Sequence, residues 1–154
     1  DYVRLGRGLA ASVEQYLETL RYIATEYGEE RVAAHVVVGS PLSSLDQELG
    51  TVRRIGGVYG RILVILIDAN QHAVDRGRVL GVARLARELF GEVALGCMRP
   101  RTQGGLVEEL VNSGYVDRVV LPGRVLVKRY GMRVVQSCCS IPADKLRLFL
   151  QSSA

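Results

Sequence analysis

The feature that most constrains the fold is residues 61–67, Arg-Ile-Leu-Val-Ile-Leu-Ile. A run this rich in apolar and β-branched residues suits a strand that is buried on both faces of a sheet. On either side of it, the hydrophobic period alternates repeatedly between helical and strand-like spacing. This alternation is typical of βα units that build a parallel sheet. The sequence therefore predicts an α/β fold with a mostly parallel sheet.

Five strands are predicted, at residues 31–39, 61–67, 92–96, 117–121 and 132–136. Helices are predicted at residues 12–28, 44–55, 75–90, 105–112, 125–130 and 142–150. The first four strands start roughly 25–30 residues apart, which is the length of a right-handed βα crossover. About five such strands can curve into a partial (half) TIM-type barrel or lie open as a doubly wound sheet, and the pattern does not choose between these two.

The length of 154 residues predicts a single α/β domain over residues 1–154. It falls short of the ~250 residues of a complete eight-stranded barrel. Apolar residues never form the roughly 18-residue run that a membrane span needs, and the N-terminal residues do not resemble a secretory signal. We therefore expect a cytoplasmic protein with no membrane partner.

Charge is distributed unevenly along the chain. Residues 1–77 carry a net charge of −2, whereas residues 78–154 carry +6. The basic half is where an anionic ligand is expected. A nucleic-acid partner is not expected, because the chain has no Trp and only two Phe for stacking on bases.

Polar residues collect directly after the predicted strands, at 40–41, 68–72, 97–101, 122–124 and 137–140. In parallel α/β folds the carboxyl ends of the strands carry the functional sites. Among these residues, Arg99, Arg101 and Arg124 could bind the carboxylate or phosphate of a small-molecule ligand or substrate. The alternative is that these arginines are simply exposed to solvent.

His35 lies in the middle of a predicted strand. It is either a hydrogen-bonded core histidine or, in an open half-barrel, a side chain that faces an exposed cavity.

Several motifs occur together in a characteristic order: Tyr16-Leu-Glu-Thr-Leu20, His35-Val-Val-Val-Gly39, Asp46-Gln-Glu48, Leu95-Gly-Cys-Met-Arg-Pro-Arg101 and Cys138-Cys139. In order and spacing they resemble the later strands of radical S-adenosylmethionine proteins, closest to archaeal homologues of biotin synthase. The resemblance extends from about residue 8 to residue 142. It implies that Val37, Gly39 and Glu48 contribute to the wall that contacts the adenine of S-adenosylmethionine. Gly39 would let a ligand approach the backbone closely, and Glu48 could cap or brace the loop after the strand. The alternative is a glycine turn followed by a solvated helix glutamate.

Proteins of this family hold a [4Fe–4S] cluster in a CxxxCxxC loop, and the cluster cleaves S-adenosylmethionine reductively. This chain has no such loop, and its cysteines are Cys97, Cys138 and Cys139. The three thiols could ligate an auxiliary iron–sulfur cluster of the kind that donates sulfur in the resembled synthases. The alternative is that they are buried or solvent-facing thiols that bind no metal.

The resemblance therefore implies the C-terminal part of a biotin or lipoyl synthase-like protein, expected to be inactive alone. The chain could be a fragment, a natural half-barrel or a degenerate relative, and its abrupt start at Asp1 favours truncation. Expected partners are a second copy of the chain or a separate N-terminal half. The alternative function is a small-molecule-binding or anion-binding α/β domain with no cofactor of the radical type. Whether the chain is an enzyme stays open at this stage.

Overall fold

The computed structural model describes residues 12–68, 74–100, 104–135 and 137–146. The described helices are α1 Val13–Tyr27, α2 Leu45–Gly56, α3 Arg76–Leu89, α4 Gly104–Asn112 and α5 Arg124–Tyr130. The described strands are β1 Ala34–Val38, β2 Ile62–Ile67, β3 Glu92–Leu95 and β4 Arg118–Val119. Short 3₁₀ turns cover Glu29–Arg31 and Ala143–Lys145.

The four described strands form one parallel sheet in the order β1-β2-β3-β4. Val36 is paired with Ile65, and Ile65 in turn with Leu95. The α/β class and the parallel sheet are thus confirmed. The sheet is open and not closed as a barrel, so that β1 and β4 are its edges over the described residues.

The predicted fifth strand does not form over its described residues, 132–135. β4 is only two residues long, because the chain turns at Leu121, whose φ is +49°, and continues into Pro122. The chain therefore offers little backbone edge for a fifth strand to pair with. Residues 132–135 instead lie across a cavity from β4. The β-branched pair Val134-Val135 favours a strand by its local propensity, but tertiary structure overrides this propensity and no strand forms there.

The helices pack against one face of the sheet. All five contribute to a single buried apolar cluster, with α3 supplying Val79, Val82, Ala83 and Ala86. The same cluster contains the inward-pointing residues of the sheet Ala34, Val36, Val38, Leu63, Ile65, Ile67, Val93 and Leu95. A doubly wound sheet would have helices on both faces, so this alternative is wrong for the described residues.

The opposite face of the sheet carries a smaller cluster of Ile62, Val64 and Ala94, all fully buried. Cys139 packs on it from residues 137–146, which we call the strap. The strap thus covers part of a sheet face that the helices leave open.

Polar contacts hold the strap in place. The Ala143 amide N–H donates to Glu92 at 3.0 Å, and the guanidinium of Arg118 donates to the Cys139 carbonyl at 3.3 Å. Arg61 and Asp144 form an ion pair at 3.3 Å. The helix predicted at 142–150 is a 3₁₀ turn over Ala143–Lys145, and residues 147–150 lie outside the described residues.

The starts of α1 and α2 are built in the same way. Ser12 and Gln15 form a reciprocal capping box at α1, and Ser44 and Gln47 form another at α2. Each box satisfies backbone N–H groups that have no partner inside the helix. None of the described helices has the combined length and hydrophobicity that a membrane span needs.

Candidate functional site

A cavity of about 420 Å³ lies beside β1, between α1 and α2, and we call it the first cavity. Val36 and Val37 both line it. Because successive strand residues point to opposite faces, the cavity must wrap around the edge of β1. The cavity therefore exists because β1 has no neighbouring strand on that side among the described residues.

One stripe of α2 forms the opposite wall, through Gln47, Gly50, Thr51 and Arg54. A Cβ placed on Gly50 would have no heavy atom within 4 Å, so this helical glycine borders open space. A glycine in the interior of a helix lowers the stability of that helix by about 1 kcal/mol relative to an alanine. The first cavity thus has an apolar floor, a polar wall and room above Gly50 for a flat ligand.

The edge of β1 is partly capped by α1. The Tyr16 hydroxyl accepts a hydrogen bond from the His35 backbone N–H at 3.1 Å. Burial raises the pKa of Tyr16 above its usual value, so the hydroxyl stays protonated at neutral pH. Tyr16 also lines the first cavity and could donate its proton to a bound ligand.

Glu48 and Arg78 form an ion pair beneath the loop that follows β1. Glu48 is 3% exposed, and Arg78 donates to its two carboxylate oxygens at 2.7 and 2.6 Å. The same carboxylate accepts from the Gly39 N–H and from the Ser43 hydroxyl, each at 2.9 Å. Glu48 therefore braces the loop, which is one of the roles that its position after the strand suggested.

Gly39 is required by its surroundings. Its φ is +84°, and a Cβ there would approach Val74 Cγ1 to 2.5 Å. A larger residue would be strained in that conformation and would clash. Val37, Gly39 and Glu48 thus come together around β1: Val37 and Glu48 line the first cavity, and Gly39 is bonded to Glu48. Their contact with an adenine ring stays a prediction.

Arg99 interacts with backbone carbonyls at the ends of two strands. Its guanidinium donates to Gly96 at 2.7 Å and to Leu121 at 2.9 Å. This ties the turn after β3 to the turn after β4. Arg124 is exposed at the first position of α5, and Arg101 lies outside the described residues. An anion site formed by these arginines stays a prediction.

The cysteines differ in their surroundings. Cys97 and Cys138 are exposed, whereas Cys139 is buried. Burial raises the pKa of Cys139, and the neighbouring charges of Cys138 and Cys97 raise it further. Within the described ranges, no group of three His, Cys, Asp or Glu side chains has the arrangement that holds a metal ion. The described residues therefore do not fit an iron–sulfur cluster, and that assignment has only the resemblance behind it.

His35 is exposed and lines the first cavity, as the half-barrel alternative requires. Its Nε2 lies 3.3 Å from the Ser140 hydroxyl of the strap. The side chains of β1 and the strap are thus in direct contact.

A second cavity of about 420 Å³ lies at the opposite edge of the sheet. Residues 116–122, around β4, form one side of it, and residues 132–135 and 137–139 form another. Both free edges of the described sheet therefore border a cavity large enough for a small ligand.

Searches of protein-family models, of curated proteins and of solved structures found no match to this chain. The assignment of function therefore depends on the residues and on the geometry described above.

Sequence reasoning missed Arg78, Gly50 and Ser140. An isolated glycine in a helical pattern is a recognisable signal, and Gly50 carries it. Arg78 is 30 residues from Glu48, and Ser140 is 105 residues from His35. Contacts over such separations leave no periodic signal in one sequence.

Proposed function

We propose that this chain is the C-terminal part of a radical S-adenosylmethionine protein of the biotin or lipoyl synthase-like type. In this proposal the chain supplies the wall that contacts the adenosine moiety of the cofactor. The observation that carries it is the first cavity, which is lined by Val37 and Glu48, two of the residues that the resemblance assigns to that wall.

The sheet supports a half-barrel interpretation. Its strands are parallel and in chain order, and the described helices share one face. Complete (β/α)₈ barrels have sequential parallel strands surrounded by helices in the same way. A half-barrel would have two free edges, which agrees with β1 and β4.

The first cavity is compatible with an adenine ring. Its volume of about 420 Å³ lies in the range of small-molecule pockets, which is roughly 300–1,000 Å³. Val37 at the edge of β1 could contact the face of the ring, while Gln47 and Thr51 carry polar groups elsewhere in the cavity lining. Glu48 would support the cavity wall without contacting the ring directly, since its carboxylate is already hydrogen-bonded to Arg78, Ser43 and Gly39.

We assign no reductive cleavage to this chain, because its described cysteines do not fit a cluster. In this proposal the CxxxCxxC loop belongs to a separate or missing N-terminal half, and the chain alone is inactive. The three unpaired thiols suit a reducing, cytoplasmic setting.

Calorimetric titration with S-adenosylmethionine tests the proposal on the whole chain. We expect saturable binding that Gly50→Phe abolishes, because its ring fills open space in the first cavity. Gly50→Ala is the matched control and should retain most of the affinity. Absence of binding to the unmodified chain, or equal binding by Gly50→Phe, would overturn the proposal.

Titration with adenosine alone separates this proposal from the alternative of a general small-molecule site. The adenosine moiety should bind to the same cavity, since the proposed contacts are to the adenine ring. A cavity that binds other small ligands but neither adenosine compound would support the alternative.

A further inference from the structure

A line of three side chains connects the strap to β1. The thiol of Cys138 lies 3.8 Å from the Ser140 hydroxyl oxygen, and that oxygen lies 3.3 Å from His35 Nε2. On the other side of the imidazole, Nδ1 lies 3.1 Å from the Ala33 carbonyl oxygen. A thiol, a hydroxyl and an imidazole are thereby arranged in hydrogen-bonding sequence.

The Ala33 carbonyl determines the direction of these bonds. A carbonyl can only accept, so the Nδ1 of neutral His35 must carry the proton. Nε2 is then an acceptor and receives the Ser140 O–H, which leaves the Ser140 oxygen to accept from the Cys138 S–H. The sequence of bonds therefore leads from the thiol to the basic nitrogen of the imidazole.

The surroundings favour ionisation of the thiol and keep the imidazole in its neutral form, which can accept a proton. A hydrogen bond from the Ser140 backbone N–H is the main reason that the pKa of Cys138 lies below its usual value. Partial desolvation lowers the pKa of His35, so its imidazole is neutral and able to accept a proton near pH 7. Cys138 is exposed and open to reagents, whereas Cys139 is buried against Ile62 and Val64.

We propose that Cys138 is a nucleophilic thiol and a site of S-thiolation by low-molecular-weight disulfides, with Ser140 and His35 accepting its proton. The Cys138 proton moves to Ser140 as the Ser140 proton moves to His35 Nε2. The Cys138 sulfur then attacks one sulfur of the disulfide, so that a new S–S bond forms and the old one breaks. The departing thiolate takes the electron pair and recovers a proton from the imidazolium.

This inference does not depend on the proposed cofactor wall. It assigns to Cys138 a reactivity that needs no metal and no S-adenosylmethionine. The exposed Cys97 provides an internal comparison, because the same reagent can react with both thiols in one sample.

The experiment uses the full chain and the aromatic disulfide 5,5′-dithiobis(2-nitrobenzoate), with the modified peptide identified by mass spectrometry. We expect Cys138 to react about tenfold faster than Cys97. Ser140→Ala and His35→Gln should slow Cys138 by about tenfold, since each interrupts the path to a base. Both variants should leave the rate at Cys97 unchanged.

Ser137→Ala is the matched control, because it removes a hydroxyl from the same strap and should leave the Cys138 rate unchanged. Circular dichroism verifies that each variant is folded before the rates are compared. A Cys97 rate equal to or above that of Cys138 would overturn the inference. So would a Cys138 rate and a rate–pH midpoint that neither Ser140→Ala nor His35→Gln alters in the folded protein.

Discussion

At the scale of single residues, the Glu48–Arg78 ion pair connects α2 and α3 to the loop after β1. Glu48 is 3% exposed and Arg78 is 16% exposed. The Arg78 guanidinium also donates to the Ser40 and Ser43 carbonyls, at 3.0 and 2.5 Å. The charges are thus removed from water but well supplied with partners, as a buried pair requires.

Removal of the negative charge should leave Arg78 buried without its counter-ion. We expect Glu48→Gln to lower the free energy of unfolding by about 3 kcal/mol, as measured by urea denaturation. Glu18→Gln on the exposed side of α1 is the control and should change it by less than about 0.5 kcal/mol. Equal effects of the two substitutions would contradict a structural role for the pair.

Tyr59 is a second residue whose hydroxyl links separate segments. It is 2% exposed, donates to the Val32 carbonyl at 2.5 Å and accepts from the Ile62 N–H at 3.2 Å. Burial raises the pKa of Tyr59 to about 12. Because the unfolded chain loses this proton near pH 10, the stabilisation is complete below pH 10 and is lost as pH rises toward about 12.

Tyr59→Phe should lower the free energy of unfolding by about 1–3 kcal/mol near pH 7, because the two backbone groups lose their partner. It should also reduce the fall in stability between about pH 10 and about pH 12, to which Tyr16, whose pKa is raised as well, also contributes. Urea denaturation across this range measures both effects, with the exposed Tyr22→Phe as control. An unchanged alkaline profile in Tyr59→Phe would show that another group is responsible.

Some features of the site could be predicted at this scale and others could not. A glycine at the end of a strand followed by a glutamate indicated a braced loop, and Gly39 and Glu48 form one. The partner Arg78 could not be predicted, since nothing in its local sequence distinguishes it from the exposed Arg84 of the same helix. Burial of an arginine is decided by packing between helices, which one sequence does not report.

At the scale of elements, the capping boxes determine where the first two helices begin. The Ser44 side chain accepts from the Gln47 N–H at 3.2 Å, and Gln47 returns a bond to the Ser44 N–H at 2.8 Å. Such caps matter here because the wall of the first cavity lies within the first three turns of α2.

Ser44→Ala should therefore lower the free energy of unfolding by about 1 kcal/mol. The exposed Ser113 lies beyond the end of α4, and Ser113→Ala should have almost no effect. Thermal denaturation followed by circular dichroism compares the two variants. A destabilisation by Ser113→Ala that matches Ser44→Ala would contradict the capping argument.

The elements themselves were largely predictable, because helical and strand periods differ clearly in this chain. The first four strands and the first five helices form where their hydrophobic spacing indicated. The exception at 132–135 is informative, since Val134 and Val135 carry β propensity but meet an edge strand of two residues. Strand formation depends on a partner as well as on propensity.

At the scale of the whole molecule, the described sheet leaves both of its edges unpaired. Strand edges are prone to pair with other chains unless they are covered. Leu121, Val125 and Val134 are each more than 60% exposed in the segments that follow β4. We propose that a second copy of this chain covers the β4 edge and these exposed side chains.

Sedimentation velocity should show dimers at about 100 μM, with dissociation at lower concentration. Val125→Lys combined with Val134→Lys should shift the population to monomer, because both charges would lie in the contact. Tyr22→Lys places a charge on exposed α1 and should leave the dimer intact. A monomer at every concentration would contradict self-association through this surface.

The central claim is that the first cavity contacts the adenosine moiety of S-adenosylmethionine. Amide NMR spectra recorded during titration of the whole chain with this compound test it most directly. The account predicts saturable shifts at Val37, Gly50 and Thr51, which line the first cavity, while residues 132–135 at the second cavity stay unchanged. Saturable binding that leaves the chemical shifts of those three amides unchanged, or chemical-shift changes confined to the second cavity, would contradict the assignment.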